Sequence, residues 1–251
     1  ILHKIPSVKT MACGLWIRQG SVYETDENNG LSHLVEHLLL NPKDVNNSEY
    51  RQLMERVSGE GVIYNAATTK EYTCYHFTGM ESALPLCLSG LACIAKDNRD
   101  FLDEYFENEK SVVIQEATSF YSSYQQIKER TSQAIWGNRG TGKIIMGDMK
   151  NITKASKEEV LDIIENSYVP ENATVIVVGN IDYQKTLAMI EELFGTWIDK
   201  HSNVSEIPVE NVPGVYLNKS SGTSAVVSIG FRAPAYCAAE RPAVNMLVKM
   251  L

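Results

Sequence analysis

The sequence has no long hydrophobic run and no excess of positive charge. Its wholly apolar stretches, such as residues 38–40 and 175–178, are far shorter than the roughly 20 residues that a membrane-spanning helix needs. Lysine and arginine number 23 against 31 aspartates and glutamates, which gives a formal charge of −8. Without a basic stretch the chain could not neutralise several phosphates. These absences predict a protein that neither spans a membrane nor binds nucleic acid.

Cysteine is also scarce. The sequence has five cysteines, with no Cys-X-X-Cys pair, and most of them lie within apolar segments: Cys13, Cys74, Cys87, Cys93 and Cys237. An odd number of cysteines in such positions favours reduced core residues over a disulfide framework. We therefore expect a cytoplasmic protein, with an organellar matrix as the alternative.

What the sequence does contain is enough apolar material for a folded core. Of 251 residues, 44% are hydrophobic and 22% are charged, as in ordinary globular domains. Strands are predicted at 11–18, 62–66, 71–79 and 174–179, and helices at about 30–40, 47–58, 82–96, 101–122, 124–136, 156–168 and 183–194. This order lacks regular alternation of strand and helix, so we expect an α+β fold with helices packed on an antiparallel or mixed sheet.

The end of the sequence predicts a change of domain. Residues 199–212 are polar, with Pro208 inside the range and Pro213 directly after it, as in a connector, and new strands are expected at 213–217 and 224–231. Residues 242–251 have the pattern of an apolar helix without partners. We therefore expect one domain over residues 1–205 and the beginning of a second, truncated domain over residues 206–251.

One short motif carries the candidate chemistry. His33, Glu36 and His37 form the sequence HLVEH, and on a helix these positions project from one face. Two imidazoles one turn apart can bind a single zinc ion, while the intervening glutamate can accept a proton from a water molecule. The alternative is a chance cluster on a buried helix. The apolar residues around the motif argue against it, because buried polar groups are costly unless they are paired or bound to a metal.

A third zinc ligand is expected from a different element. Glu109 and Glu116 are two helical turns apart and share a face of the predicted helix 101–122. The apolar residues 112–114 between them suggest that this part of the helix is buried. Such a pair on its own is more typical of a solvated helix face, and only the HLVEH motif makes a ligand role the better interpretation.

With these residues in view, the sequence resembles the insulinase and pitrilysin family of zinc peptidases, the inverzincins, which carry an HxxEH motif and a distal glutamate. Further segments of the family pattern occur in order: Gly20-Ser21, Asn65-Ala66, the helix ENEKSVVIQE, Ile145-Met146-Gly147-Asp148 and VIVVGNID. The resemblance covers nearly the whole chain and is greater to the mitochondrial processing peptidase branch than to the large one-chain enzymes.

The resemblance implies a set of roles. His33, His37 and Glu116 would bind Zn²⁺, Glu36 would be the general base, and Glu109 would be the acid that supports the zinc ligands. Asn65, Ala66 and Ala67 would lie on a strand at the sheet edge, to which a substrate peptide adds as an extra strand. The alternative for this segment is a simple paired strand, with Asn65 in the hairpin turn.

The function implied is hydrolysis of peptides or unfolded protein segments by a zinc metalloendopeptidase. The family also requires a second insulinase-like half or subunit, in a homodimer or heterodimer, so the chain is expected to be an incomplete enzyme. Two alternatives stay open: a non-catalytic partner or scaffold subunit of a heterodimeric peptidase, and a structural zinc domain.

Overall fold

The computed structural model describes residues 1–41, 48–97, 99–198, 201–202, 214–217 and 225–250. The strands are β1 (Leu2–Lys4), β2 (Thr10–Ile17), β3 (Ile63–Thr68), β4 (Thr73–Met80) and β5 (Ala173–Gly179). The helices are α1 (Leu31–Leu40), α2 (Ser48–Gly59), α3 (Leu84–Ala92), α4 (Asp103–Ser122), α5 (Gln126–Trp136), α6 (Met149–Lys154), α7 (Lys157–Ser167), α8 (Tyr183–Phe194) and α9 (Arg241–Met250). A π-helical turn, Cys93–Asp97, extends α3.

The strands form one mixed sheet in the order β1-β5-β2-β4-β3. Strand β1 runs parallel to β5, and the other neighbouring pairs are antiparallel. Alternate residues of β2, from Met11 to Ile17, are buried, because successive side chains of a strand point to opposite faces. Helices pack on the sheet around this buried face, as the α+β prediction requires.

Helix α1 lies in the middle of the helical layer. It contacts α4, α6 and α7 on its flanks and β3 and β4 beneath it. Its apolar side chains are almost entirely enclosed; those with at most 1% exposure are Leu31, Leu34, Val35, Leu38 and Leu39. A helix so enclosed holds its polar side chains in fixed positions, because neighbouring elements restrict it on several sides.

Two short elements were absent from the sequence prediction. Strand β1 has three residues and helix α6 has six. Neither is long enough to show a periodic pattern of apolar residues, and both depend on partners distant in sequence. The longer predicted elements up to residue 194 agree with the structure to within about three residues at their ends, as is usual for element boundaries.

The C-terminal part departs from the prediction. Helix α9 is present, and none of its side chains is buried. Residues 214–217 and 225–231 form no strand; Gly214 and Gly230 lie against α5 instead, where the Thr131 and Ser228 hydroxyl oxygens are 2.9 Å apart. A strand needs a neighbouring strand to satisfy its backbone groups, and this segment has none among the described residues. The remaining residues of the predicted strands and most of the connector lie outside the described residues.

The division into domains at residue 205 stays a prediction. Strand β5 lies between β1 and β2, so residues up to Gly179 belong to the same sheet as the first strand. Within the described part of the chain, no helix combines the length and hydrophobicity needed to cross a membrane.

The cysteines of the sheet and of α3 are buried, as expected. Cys13, Cys74 and Cys87 are buried free thiols, and Cys93 is half-buried. Cys237, in contrast, is exposed. The cytoplasmic location inferred from cysteine usage stays a prediction.

Candidate active site

The N-terminus of α1 is fixed by a buried carboxylate. Glu24 accepts hydrogen bonds from the backbone N–H of Gly30 at 2.9 Å and of Ser32 at 2.7 Å, and from the Asn29 amide at 2.8 Å. These N–H groups would otherwise be unsatisfied at the helix end. Burial raises the pKa of Glu24, and the hydrogen bonds from Gly30 and Ser32 offset part of that effect. The carboxylate therefore sets where α1 begins.

A close approach of two backbone segments reinforces this start. Gly30 has φ 106°, a left-handed conformation that favours glycine. A Cβ atom on Gly147 would lie 2.2 Å from the Cα of Gly30, so only a glycine fits between the segments. The loop before α6 thus packs directly on the first residues of the helix that carries the HLVEH motif.

Three predicted zinc ligands meet between α1 and α4. The Glu116 Oε2 atom lies 3.5 Å from His33 Nε2 and 3.4 Å from His37 Nε2. Their ligand atoms all lie within 4.8 Å of one another. Within the described ranges these three residues form the one group of histidine, cysteine and acidic side chains with such spacing.

These distances fit a zinc ion. Four ligands at roughly 2.0–2.1 Å from a tetrahedral zinc lie about 3.3–3.4 Å from each other. The two distances to Glu116 match that separation within 0.2 Å. Two neutral imidazoles and one carboxylate are also a donor set that catalytic zinc sites use, with the fourth position left for water.

His37 is held by a second carboxylate. Its Nδ1 atom lies 3.2 Å from Glu109 Oε2, and the Asn41 amide donates a hydrogen bond to Glu109 Oε1 at 2.9 Å. Burial alone would lower the pKa of His37, but the hydrogen bond to Glu109 and the charges of Glu116 and Glu36 raise it. With its Nδ1 proton engaged by Glu109, the ring directs Nε2 toward Glu116.

His33 is held by packing instead of by a polar partner. The residue is 6% exposed, and its ring meets that of His37 edge-on with centroids 4.8 Å apart. Its Nδ1 atom is buried and has no hydrogen-bond partner among the residues that the structure describes. Burial, with a further effect from His37, lowers the pKa of His33 to about 3. The imidazole is therefore neutral at physiological pH, the form that binds a metal.

Glu36 lies on the same side of α1 and points toward β3. Its Oε2 atom accepts a hydrogen bond from the Thr68 hydroxyl at 2.6 Å. Behind it, the Thr73 hydroxyl donates to the backbone carbonyl of Gln19 at 2.9 Å. Burial raises the pKa of Glu36, and the hydrogen bond from Thr68 lowers it in part. A carboxylate so placed is oriented by one donor and is still able to accept a proton.

Strand β3 forms one edge of the sheet beside these residues. Asn65 pairs with His76 of β4 and lies within the strand, so its expected position in the hairpin turn is wrong, while the paired strand of that alternative is present. The Ala66 N–H donates to the Asn65 side-chain oxygen at 2.9 Å. Since backbone groups of a strand alternate in direction, the Ala66 N–H faces the free edge, while the Ala67 backbone faces β4.

The helix that carries Glu116 is less buried than its sequence suggested. Of the apolar residues between the two glutamates, Val113 is fully buried, whereas Val112 is 42% exposed and Ile114 is half-buried. The Glu116 side chain is 46% exposed, compared with 7% for Glu109. The cluster of three candidate zinc ligands is therefore open to solvent at Glu116, whereas Glu109 behind His37 is enclosed.

Four supporting residues were not predicted from the sequence. Glu24, Thr68 and Tyr105 contact α1 or its polar side chains, and Asn41, at the C-terminal end of α1, donates a side-chain hydrogen bond to Glu109. Tyr105 could have been found, since it precedes Glu109 by one helical turn on the same face of α4. The others lie in loops or at strand ends, where no periodicity marks a residue as functional.

Two family models together match nearly the whole chain. Residues 1–149 match the model described as insulinase (peptidase family M16), and residues 154–251 match the model of the M16 inactive domain. The chain belongs to the insulinase family of peptidases. This family membership confirms the resemblance inferred from the HLVEH motif and the distal glutamate.

Individual relatives agree with the family. The chain is 26% identical to an uncharacterized zinc protease of Mycobacterium leprae, over 98% of this chain and 56% of that protein. It is 25% identical to the mitochondrial-processing peptidase subunit beta of Neurospora crassa, over 75% of this chain and 39% of that subunit. These insulinase-family relatives support a peptidase role, and the name of the first associates zinc with the family.

The fold has solved counterparts. A protease from Helicobacter pylori superposes with a TM-score of 0.72 at 21% identity, covering 80% of this chain and 49% of that one. At this identity the match shows a shared fold alone. The chain spans about half the length of the curated relatives that it matches.

Proposed function

We propose that this insulinase-family chain is the catalytic part of a zinc-dependent metalloendopeptidase. The observation that carries the proposal is the convergence of His33 Nε2 and His37 Nε2 on Glu116 Oε2, at 3.5 and 3.4 Å. Metal-assisted hydrolysis requires ligand atoms spaced to bind one zinc ion and a carboxylate held beside them. Helices α1 and α4 supply the ligand atoms, and Glu36 is the carboxylate.

In this proposal His33, His37 and Glu116 hold the zinc ion. Zinc in such a site lowers the pKa of a coordinated water toward about 7 and polarises the carbonyl of the scissile peptide bond. Glu109 acts on His37 by accepting a hydrogen bond from its Nδ1–H group, which orients the ring. Such partners of metal-bound histidines also raise the basicity of the ligand.

Glu36 is the proposed general base. Its carboxylate accepts a proton from the attacking water and donates that proton to the leaving amine. Burial favours this role because it raises the pKa of the carboxyl group toward the working pH. The hydrogen bond from Thr68 to Oε2 keeps the Oε1 atom available for the water.

The free edge of β3 is the proposed substrate-binding strand. A peptide added there would form main-chain hydrogen bonds, with the Ala66 N–H as one donor. The Asn65 side-chain oxygen now accepts from that N–H, as the peptide carbonyl would. Asn65 would release this bond when a peptide binds, and Ala67 would support the strand by its pairing to β4.

A second insulinase-like half or subunit is the proposed partner. The chain corresponds to 49% of the Helicobacter pylori protease chain and 39% of the Neurospora crassa subunit beta. Because Glu116 is partly exposed, the cluster of three candidate zinc ligands is open to solvent on that side. A second half, in a homodimer or heterodimer, would cover that side and enclose the substrate, and we place the assembly in the cytoplasm or an organellar matrix.

The test compares the complete protein with its Glu36→Gln variant. Bound zinc is measured by elemental analysis, and hydrolysis is measured on unstructured peptides. We expect about one zinc ion per site in both proteins and hydrolysis in the parent alone, because Glu36 is not a ligand. Glu55→Gln, an exposed substitution of the same type on α2, should leave both properties unchanged.

Three other outcomes would contradict part or all of the proposal. Hydrolysis by the Glu36→Gln variant would exclude Glu36 as the general base. Bound zinc without hydrolysis in the parent would favour the non-catalytic partner subunit or the structural zinc domain. Absence of bound zinc would contradict the proposal as a whole.

A further inference from the structure

A polar cavity of about 680 Å³ lies next to the candidate active site. Its walls come from the loop before α1, the end of α4, helix α5, residues 138–149 and Tyr216. The residues that matter here are Tyr121, Gln126, Arg130, Gln133 and Lys143. The cavity is large enough for an amino-acid side chain with its hydration, and it is lined by both donors and acceptors.

Arg130 is the cation in this cavity without a carboxylate partner among the described residues. Its guanidinium lies 5.2 Å from the ring centre of Tyr121, and its Nη1 donates to the neutral amide oxygen of Gln133 at 2.9 Å. Its Nε atom is buried and unpartnered within the described part of the chain, and the ring centre of Tyr216 lies 4.9 Å from the guanidinium. A guanidinium has donors in a planar fork that matches a carboxylate, so the lack of a described carboxylate partner points to an acidic ligand.

The other cation of the cavity is already paired, because Lys143 forms an ion pair with Asp26. Glu129, which precedes Arg130 on α5, pairs with Lys70 at 2.8 Å. Asp148 accepts a hydrogen bond from the backbone N–H of Lys150 at 2.8 Å and keeps its negative charge at the exposed rim of the cavity. The positive charge that the cavity offers to a ligand is therefore that of Arg130.

Two structural links place the cavity near the position of the scissile peptide bond. Tyr121 follows Glu116 by five residues on α4, about 7.5 Å along the helix axis. The Lys70 ammonium, in the turn after β3, donates to the backbone carbonyl of Lys143 at 2.5 Å. The cavity thus lies beyond the end of β3 at Thr68, whose hydroxyl contacts Glu36.

We infer that this cavity is a subsite for an acidic side chain of the substrate, with Arg130 as the residue that determines the specificity. The inference rests on the proposed peptidase function and adds the substrate class. A peptide that pairs antiparallel to β3 has its N-terminal part beyond Thr68, over the cavity. The glutamate or aspartate bound by Arg130 therefore lies on the N-terminal side of the scissile bond.

The first test is a cleavage profile of the complete protein on a mixed peptide pool, read by mass spectrometry. We expect aspartate and glutamate to be enriched at one position N-terminal to the cleaved bond. Three peptides that differ at that position alone, with Glu, Gln or Lys, then give relative kcat/KM values. The Glu peptide should exceed the Gln peptide about tenfold, since a hydrogen bond to a charged group discriminates by about that factor.

Variants identify the residue responsible. Arg130→Glu should reverse the order, so that the Lys peptide becomes better than the Glu peptide, and Arg130→Lys should keep part of the original preference. Lys128→Glu makes the same change of charge on an exposed position of α5 and should keep the parent order. Hydrolysis with the same order in the parent and in Arg130→Glu would overturn the inference while leaving the peptidase function intact.

A binding measurement separates the two proposals. Fluorescent neutral peptides, each with a single Glu, Gln or Lys, are titrated against the Glu36→Gln protein with and without Arg130→Glu. Tighter binding of the Glu peptide that depends on Arg130 would support the subsite even if the parent showed no hydrolysis. Equal binding of the three peptides in both proteins would overturn it.

Discussion

The two ends of α1 are both anchored by a buried glutamate, and the two anchors hold different things. At the N-terminus, Glu24 accepts hydrogen bonds from the backbone N–H groups of Gly30 and Ser32. At the C-terminus, Glu109 contacts the side chains of His37 and Asn41. One carboxylate therefore fixes the helix, and the other fixes a candidate zinc ligand.

The stability of the fold and the binding of the metal therefore depend on different carboxylates. Loss of Glu24 would leave backbone donors unpaired inside the protein, which lowers the stability of the fold. Loss of Glu109 would free a single ring to rotate, which affects the metal more than the fold. Substitutions at the two ends should consequently change different measured quantities.

The largest expected effect is that of Glu24→Ala on stability. We expect the free energy of unfolding of the complete protein to fall by about 3 kcal/mol, because several donors at the start of α1 lose their acceptor. Urea denaturation measures this change. Glu27→Ala, on an exposed residue of the same loop, should change it by less than about 0.5 kcal/mol. Equal stability of the two variants would show that Glu24 does not anchor the helix.

Glu109→Gln should act on the metal instead. The amide that replaces the carboxylate has one acceptor oxygen, so it cannot accept from both the His37 ring and the Asn41 amide. We expect zinc affinity to fall about tenfold to a hundredfold, measured by competition with a chelator. Glu104→Gln, on an exposed position of α4, should keep the parent affinity. An unchanged affinity in Glu109→Gln would remove the distinction between the two anchors.

Thr68→Val tests a third contact of α1, the hydrogen bond that orients the proposed base Glu36. Without the hydroxyl, Glu36 loses the donor that orients it, and we expect kcat to fall about tenfold with little change in KM. The lost hydrogen bond also raises the pKa of Glu36, so the acidic limb of the kcat profile should move to higher pH. Thr153→Val, on an exposed residue, is the control. A lower kcat with an unshifted profile would indicate a general structural effect.

The smallest expected effect is that of Tyr105→Phe. The Tyr105 hydroxyl lies 3.2 Å from the carbonyls of His37 and Leu38 and 3.3 Å from that of Asn41, at the end of α1. Its loss should cost about 1 kcal/mol of unfolding free energy and leave zinc affinity within about twofold. A larger loss than in Glu24→Ala would mean that the C-terminal end, and not the N-terminal end, fixes the helix.

Much of the fold was predictable because its longer elements carry their own signals. The alternation in β2 and the helical spacing in α4 and α8 each extend over several periods. The expected strands after residue 212 failed for the opposite reason. Apolar composition suggested them, but a strand forms only where a neighbouring strand accepts its backbone hydrogen bonds.

The site was predictable to a similar extent. The motif HLVEH and the spacing of Glu109 and Glu116 identify candidate groups because helix geometry fixes which residues share a face. The role of Thr68 was not predictable, since it depends on how β3 lies against α1. Nor was the lack of a carboxylate partner for Arg130 among the described residues, because its sequence neighbour Glu129 is a possible partner that the structure pairs with Lys70 instead.

The identity and local grouping of the candidate ligands follow from the sequence and helix geometry, since residues one turn apart on a helix are neighbours in any fold. That Glu116 lies 3.4 Å from His37, that Glu109 lies behind the ring and that Glu24 fixes the start of α1 depends on how the elements pack. These contacts join residues from different elements, as far as 79 positions apart, and their geometry follows from the packing of α1 between α4 and the sheet.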